Sequence, residues 1–377
     1  MGSIDRRNGK WRARWRTPEG ASRSRAFRRK LDAERYLATV ENSKVVGSYI
    51  DPSAGQVTLA EWWQRYQLEA PRRATTAARD RQVMQRWWLP PLGARHLAKI
   101  TRADVRSVVT RMAAELAPST VRTDLGVMRA VMNRAVEAEL IPRSPIVGIR
   151  LPPAQARPPR FLSNDELHRL AEAMPDEYRP IVFVAGVLGL RWSEVAGLRV
   201  GSIDFLRRTL TVSETVAEVE GQLMVAPPKS RASVRTLTAP PGLIEMLAAH
   251  LAAAGRGQPD EYVFTAPDGG PLRATNFRLR VWGPAISTAG LEGFTFHGLR
   301  HSAVGFMIAL GVHPRVIQRR AGHSTIRTTF DVYGSVLPEL DEAVASGLDG
   351  IVSGDGSRVP FVSRTDDSGR VDEAPGL

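Results

Sequence analysis

Five short stretches in the second half of the chain carry side chains whose types and spacing suit chemistry on a charged substrate. Gly189-Leu190-Arg191-Trp192-Ser193-Glu194 sets Arg191 among apolar residues with Glu194 three positions on, so the two share one side of a helix. Pro227-Pro228-Lys229-Ser230-Arg231 puts Lys229 between two strand candidates. His297-Gly298-Leu299-Arg300-His301 places His297 and Arg300 on one helical face, just before the apolar run from Val304 to Leu310. Ala321-Gly322-His323-Ser324 reads as a turn followed by a helix that Ser324 would cap. Thr328-Thr329-Phe330-Asp331-Val332-Tyr333 closes the set with a phenol. Arginine stays charged at any relevant pH and clamps phosphate oxygens bidentately. Imidazole moves protons near neutrality. A phenol is a poor nucleophile until nearby cations favour its phenolate. Taken one at a time, each stretch also has a plainer reading: a structural Arg191–Glu194 pair, a solvated hairpin lysine, a His and an Arg that cap or pack a helix start, and a tyrosine in the core or on the surface.

Other chemistries have no foothold in the sequence. No Gly-rich loop ends in Lys-Ser or Lys-Thr, and no His-Glu-x-x-His pattern occurs. The chain has no cysteine, which excludes disulfides, zinc fingers and thiol nucleophiles. No cofactor and no metal is expected.

The order of the five stretches is more telling than any one of them. Arg, then a hairpin Lys, then His-x-x-Arg, then Gly-His, then Tyr ten residues later resembles the tyrosine recombinase family, and its phage-type integrases in particular. Thr295-Phe296-His297-Gly298-Leu299-Arg300-His301-Ser302-Ala303 is similar to that family's second box, and Gly322 to Thr329 with Tyr333 resembles its last. Two positions depart from the pattern: Gly298 where the family often has Asp, and Ala321 where Leu is usual. The resemblance implies a site-specific recombinase that cuts and rejoins DNA through a covalent 3′-phosphotyrosine, integrating or excising a mobile element without metal or ATP. It implies Tyr333 as nucleophile and Arg191 and Arg300 as the phosphate clamp. His297 would take or return a proton, His323 would donate to a phosphate oxygen, and Lys229 would act as general acid on the leaving 5′-oxygen. Glu194 would orient Arg191 from behind. Preorganised cations aimed at developing charge often form the largest catalytic contribution. A type IB topoisomerase-like enzyme and a catalytically inactive DNA-binding regulator are the competing readings; the complete residue set disfavours the second.

The elements that must position these groups read as a multidomain α+β chain. Residues 1–50 form a small sheet-plus-helix domain: Lys10 to Arg16 alternates cation and aromatic as a strand would, Pro18-Glu19-Gly20 turns, Ser22 to Phe27 gives a second strand, and Leu31 to Val46 a helix. Gly47 to Gln56 reads as a linker. Residues 57–150 read as four helices, with capping boxes at Thr58/Glu61 and Thr101/Asp104, a break at Pro90-Pro91-Leu92-Gly93, and an amphipathic run after Ser119. Trp62, Trp63, Trp87 and Trp88 are expected to pack rather than stack on bases. Pro-rich Leu151 to Arg160 is the interdomain linker. Residues 160–345 form a mostly helical catalytic domain with a small antiparallel sheet from Arg208–Val216, Gln222–Ala226 and Val234–Thr238, and 346–377 a disordered tail. By resemblance, 57–150 is a core-DNA-binding domain and 1–50 an arm-type DNA-binding domain. With the catalytic domain, the core-binding domain would form a C-shaped clamp. Four protomers would assemble on two duplexes, with Leu337 to Leu348 docking on a neighbour.

Charge agrees with a polyanionic partner. The formal net charge is +13 over 377 residues. Residues 1–50 hold 13 Lys and Arg against 5 Asp and Glu, a net of +8, whereas 346–377 carry a net of −3. Lys10, Arg12, Arg14, Arg16, Arg23 and Arg25 are the DNA-contact candidates there. The expected partners are double-stranded DNA at core-type and arm-type attachment sites, a directionality factor and a host DNA-bending protein. No apolar run approaches the ~20 residues of a membrane span, and no secretory signal is evident, so a bacterial host's cytoplasm and nucleoid is the expected location.

Overall fold

The computed structural model describes residues 2–47, 49–51, 54–69, 72–149, 151, 160–228, 233–323, 325–327 and 329–330. Lys229, Tyr333, the linker at 152–159, the segment from Leu337 to Leu348 and the tail therefore lie outside the described residues. The chain divides into two compact units, one built mainly from Met1–Ala156 and the other mainly from residues 157–377. The architecture is mixed α and β, with small antiparallel sheets among many helices. Among the described residues, no helix is long and apolar enough to cross a membrane.

The first unit opens with a three-stranded antiparallel sheet, β1 (Ser3–Arg7), β2 (Lys10–Arg16) and β3 (Ser22–Phe27), followed by α1 (Lys30–Val45). The first strand was not expected. Its signal was Asn8-Gly9, both at positive φ (49° and 76°), the dipeptide a tight hairpin turn requires. Register fixes the faces: Arg12 stands opposite Asp5 and Ala26, and Arg14 opposite Ser3 and Ser24. Lys10, Arg12, Arg14 and Arg16 share one face. The other carries Ala13 and Trp15, both buried, with Trp15 packed edge-on to Tyr36 of α1 at 5.5 Å.

Four helical segments follow: α2 (Leu59–Glu69); α3 (Ala74–Val83), running through a π-helical turn into α4 (Leu89–Leu92); α5 (Arg102–Glu115); and α6 (Pro118–Glu137). Both anticipated capping boxes form. Thr58 N donates to Glu61 at 2.8 Å, and Thr101 N to Asp104 at 2.9 Å. Pro90 and Pro91 do not break the helix where expected. They begin a last helical turn directly after the π-helical stretch, and Gly93 caps that turn. The four tryptophans are core residues, each 6% exposed or less. Trp62 Nε1 donates to the Val131 carbonyl at 3.0 Å, tying α2 to α6.

The second unit starts with α7 (Asn164–Glu172), α8 (Arg179–Leu188) and α9 (Trp192–Ala196). Strands β4 (Ile203–Asp204), β5 (Thr209–Val212), β6 (Thr215–Val219), β7 (Gln222–Ala226) and β8 (Arg235–Thr238) follow. The expected single strand from Arg208 to Val216 is two strands in two sheets: β5 lies between β4 and β8, while β6 pairs with β7. Helices α10 (Pro241–Ala253), α11 (Ala274–Phe277), α12 (Gly283–Thr288), α13 (Phe296–Ala309) and α14 (Pro314–Ala321) complete it. The apolar helix α8 is the centre of this core, lying on α7, α10 and α13. Ser302 fixes α13 to the entry of the unit: its hydroxyl accepts from Leu162 N at 2.9 Å and donates to Gly298 O at 3.1 Å.

Candidate active site

The site is organised on the end of α14. A helix terminus leaves its last carbonyls without intrahelical partners, at the negative end of the helix dipole. Gly322 takes the left-handed conformation (φ 64°), which glycine adopts at little cost. The chain then closes a Schellman turn, with His323 N donating to Gln318 O at 3.0 Å and Gly322 N to Arg319 O at 3.1 Å. The next three carbonyls are each taken by a different arginine. Arg235 Nε donates to Arg320 O at 2.7 Å, Arg300 Nη2 donates to Ala321 O, and Arg191 Nη2 donates to Gly322 O at 3.0 Å. Arg300 reaches a second helix end with Nη1, which donates at 2.7 Å to the carbonyl of Gly189, the left-handed cap of α8. Three guanidinium groups, from three distant parts of the sequence, thus converge on one turn.

Glu194 balances part of this charge. Arg191 is the N-cap of α9, and its N–H donates to Glu194 Oε2 at 2.9 Å while its Nη1 donates to Oε1 at 2.8 Å. From the other side Arg235 donates to both carboxylate oxygens, at 3.2 and 3.0 Å. Glu194 is 2% exposed and Arg235 is 8% exposed. Burial alone would raise the Glu194 carboxyl. The hydrogen bonds and charge of Arg235, with those of Arg191, outweigh burial and hold the pKa below the ordinary value. The plainer reading of the Arg191–Glu194 pair is therefore correct as geometry, and the pair also lies within the arginine cluster.

The histidines complete the cluster. His323 is buried, and its Nδ1 lies 2.9 Å from the hydroxyl of Thr329, itself fully buried. This contact suits either ring tautomer; the one in which the Thr329 hydroxyl donates to Nδ1 would carry the ring proton on Nε2 and leave a donor for a bound oxygen. Burial first, and then Arg300, Arg191, His301 and His297, push the His323 pKa down to about 4. His297, in the first turn of α13, is partly open to solvent. The protein packed around the rest of the ring strips it of water, and His301, Arg300 and Arg191 add positive charge; its pKa is likewise pushed down to about 4. The rings of His297 and His301 meet edge to face at 4.9 Å. Burial and Arg191 lower Arg300 to about 9, so it remains cationic at neutral pH. An aromatic cluster fixes the neighbours of two of these groups: Trp192, next to Arg191, packs edge to face on Phe296, next to His297, at 5.1 Å.

Of the six catalytic candidates, Arg191, His297, Arg300 and His323 come together, while Lys229 and Tyr333 lie outside the described residues. Sequence reasoning missed Arg235 and Thr329. Arg235 had a signal: Leu237 must face the core, strand alternation then turns Arg235 inward, and an inward arginine needs an acid. In the N-terminal sheet, Lys10, Arg12, Arg14 and Arg16 share the face away from α1. Arg23 and Arg25 are on the face toward α1, where Arg23 pairs with Asp51 at 2.7 Å and Arg25 stacks over Tyr36 at 4.9 Å.

A profile of the phage integrase family matches residues 160–339, the span that carries the arginine cluster. The phiRv2 prophage integrase of Mycobacterium tuberculosis is 27% identical over 327 residues, covering 84% of this chain and 87% of the relative. Two solved structures share the fold. The Tn1549 transposon integrase in complex with a circular intermediate DNA has a TM-score of 0.64 at 17% identity, covering 76% of this chain and 99% of that one. The lambda integrase tetramer bound to a Holliday junction has a TM-score of 0.56 at 18% identity, covering 85% and 95%. The chain carries, at residues 160–339, a domain that matches the phage integrase family, and its relatives are integrases and tyrosine recombinases. It is a site-specific DNA recombinase of the integrase type.

Proposed function

We propose that this integrase holds one scissile phosphate between Arg191 and Arg300 and attacks it with Tyr333. The observation that carries this reading is the convergence of Arg191, Arg300 and His323 at the end of α14, with His297 near enough to feel the charge of both arginines. The Tyr333 phenol loses its proton to His297, which is neutral at neutral pH and so able to accept it. The phenolic oxygen bonds to phosphorus, and the bond from phosphorus to the 5′-oxygen breaks. The leaving 5′-oxygen takes a proton from Lys229. His323 donates Nε2–H to a non-bridging oxygen, and the two arginines offset the negative charge of the pentavalent transition state. The 3′-phosphotyrosine keeps the energy of the broken bond, so a second 5′-hydroxyl reseals the strand by the reverse route without ATP.

The proposed division of labour along the chain is an arm-type DNA-binding domain at 1–50, a core-DNA-binding domain at 57–150 and the catalytic domain at 160–345. The solved lambda integrase is a tetramer on a Holliday junction, which supports four protomers on two duplexes here, with Leu337 to Leu348 as the docking segment. A directionality factor and a host DNA-bending protein would join them in a bacterial host's cytoplasm. The test pairs two assays: strand exchange between two cognate attachment sites, and relaxation of a supercoiled plasmid lacking them. Exchange that requires both sites is the expected result. Relaxation without exchange would instead support a topoisomerase.

A further inference from the structure

We infer that Arg235 is a positioning residue for strand cleavage, acting on the scissile phosphate through Glu194 and Arg191. This rests on the phosphate-clamp reading above. Arg235 is 8% exposed, and its guanidinium is engaged with protein: Nε on Arg320 O, Nη1 on Glu194 Oε1 and Ser233 O, and Nη2 on Glu194 Oε2. Arg191 differs. Its side chain is 34% exposed and reaches the same carboxylate through Nη1, with the backbone N–H making the other contact.

Charge balance gives Arg235 its role. One buried carboxylate faces two arginines, so the trio keeps a net charge of +1, and the exposed member, Arg191, presents it. Without Arg235, the Arg191–Glu194 pair is neutral. Glu194, left with one cation in a buried site, then draws Arg191 into a bidentate pair and away from Gly322 O. The phosphate loses charge and geometry together, although no group touching it has been changed. Arg235 also pins the Arg320 carbonyl, so the same guanidinium holds the turn against which Arg191 and Arg300 are set.

The test is single-turnover cleavage by the full chain on a nicked core-site duplex, with either an ordinary scissile phosphate or a neutral methylphosphonate. Arg235→Met should cut the ordinary substrate roughly 100-fold more slowly, the scale of one lost preorganised donor, with core-site affinity little changed. On the methylphosphonate, which has no anionic charge for Arg191 to meet, the defect should shrink to a few-fold. Adding Arg235→Met to Arg191→Ala should cost little more than Arg191→Ala alone, because the two act in series. Glu194→Gln should partly restore the Arg235→Met enzyme by removing the carboxylate left unbalanced; this double variant also covers the case in which Arg235→Met alone fails to fold. An equal defect on both substrates, full additivity with Arg191→Ala, or no rescue by Glu194→Gln would each overturn the inference. If the wild-type chain forms no covalent adduct on the ordinary substrate, the phosphate-clamp reading fails first, and the two failures are distinguishable.

Discussion

Gly298 lies against the ring of Phe294 so closely that a β-carbon at position 298 would stand 2.5 Å from Phe294 Cε2. Any side chain at position 298, Asp included, would have to displace that ring. The first turn of α13, which presents His297 and Arg300, is seated directly on that ring. Gly298→Asp should therefore destabilise the protein by about 1–3 kcal/mol, as overpacking does, and displace His297. Phe294→Leu in the same chain should recover part of the loss. Chemical denaturation of the parent and the two variants checks it; a Gly298→Asp protein as stable as the parent would refute the packing account.

Glu194 stands between two arginines, one of them almost wholly buried. Glu194→Ala strands the Arg235 charge in the core and should cost about 3–5 kcal/mol, the usual effect of breaking a buried pair from one side. Glu194→Gln keeps the shape and an acceptor and should cost less. Urea unfolding of both variants would measure the difference. An alanine variant within experimental error of the parent would mean that Arg235 finds another partner.

His297 and His323 are held near pKa 4, against an ordinary value of 6.5, and His301 is lowered in the same direction. In the window between those values the unfolded chain binds protons that the folded chain does not. Stability should therefore be full above pH 6.5 and decline as the pH falls toward 4. Melting temperature against pH, in the absence of DNA, should slope downward through this window. His323→Gln should flatten the slope. An identical slope in the variant would show that His323 is not among the groups responsible.

The face of the N-terminal sheet away from α1 carries Lys10, Arg12, Arg14 and Arg16, and Asp5 holds Arg12 with a two-point bond at 3.0 and 2.9 Å. If this face binds arm-type DNA, Arg14→Gln with Arg16→Gln should lower the slope of log affinity against log salt by up to about 2, one condensed counterion for each lost phosphate contact. Arg23→Gln and Arg25→Gln, on the opposite face, should change the slope less. Titrations at several salt concentrations decide it, and the reverse ranking would place the DNA on the other face.

Local signals were the most legible. Both capping boxes in the helical bundle, the buried tryptophans and the helical run of α13 follow from spacing and apolar pattern, because they depend on residues only a few positions apart. The motifs around Arg191, His297, Arg300 and His323 could be picked out by wording, but nothing local said that they meet. Arg235 lies 41 residues from Glu194 and 85 from Arg320. A pairing over such a separation is set by how β8 lies beside β5 and by where α14 ends, which periodicity does not encode. The split of Arg208–Val216 into β5 and β6 escaped notice for a related reason: alternation runs through both strands, while a change of sheet partner leaves no mark on it. The Asn8-Gly9 turn, by contrast, is a local signal that the sequence carries in full.

The most direct test of the account is capture of the covalent intermediate. A nicked core-site duplex that loses its 5′-hydroxyl fragment on cleavage should trap the wild-type chain on DNA. Protease digestion and mass spectrometry should then find the 3′-phosphonucleotide on the peptide containing Tyr333. Tyr333→Phe should bind the same duplex with unchanged affinity and yield no adduct. An adduct on any other residue, or an adduct that survives Tyr333→Phe, would contradict the assignment.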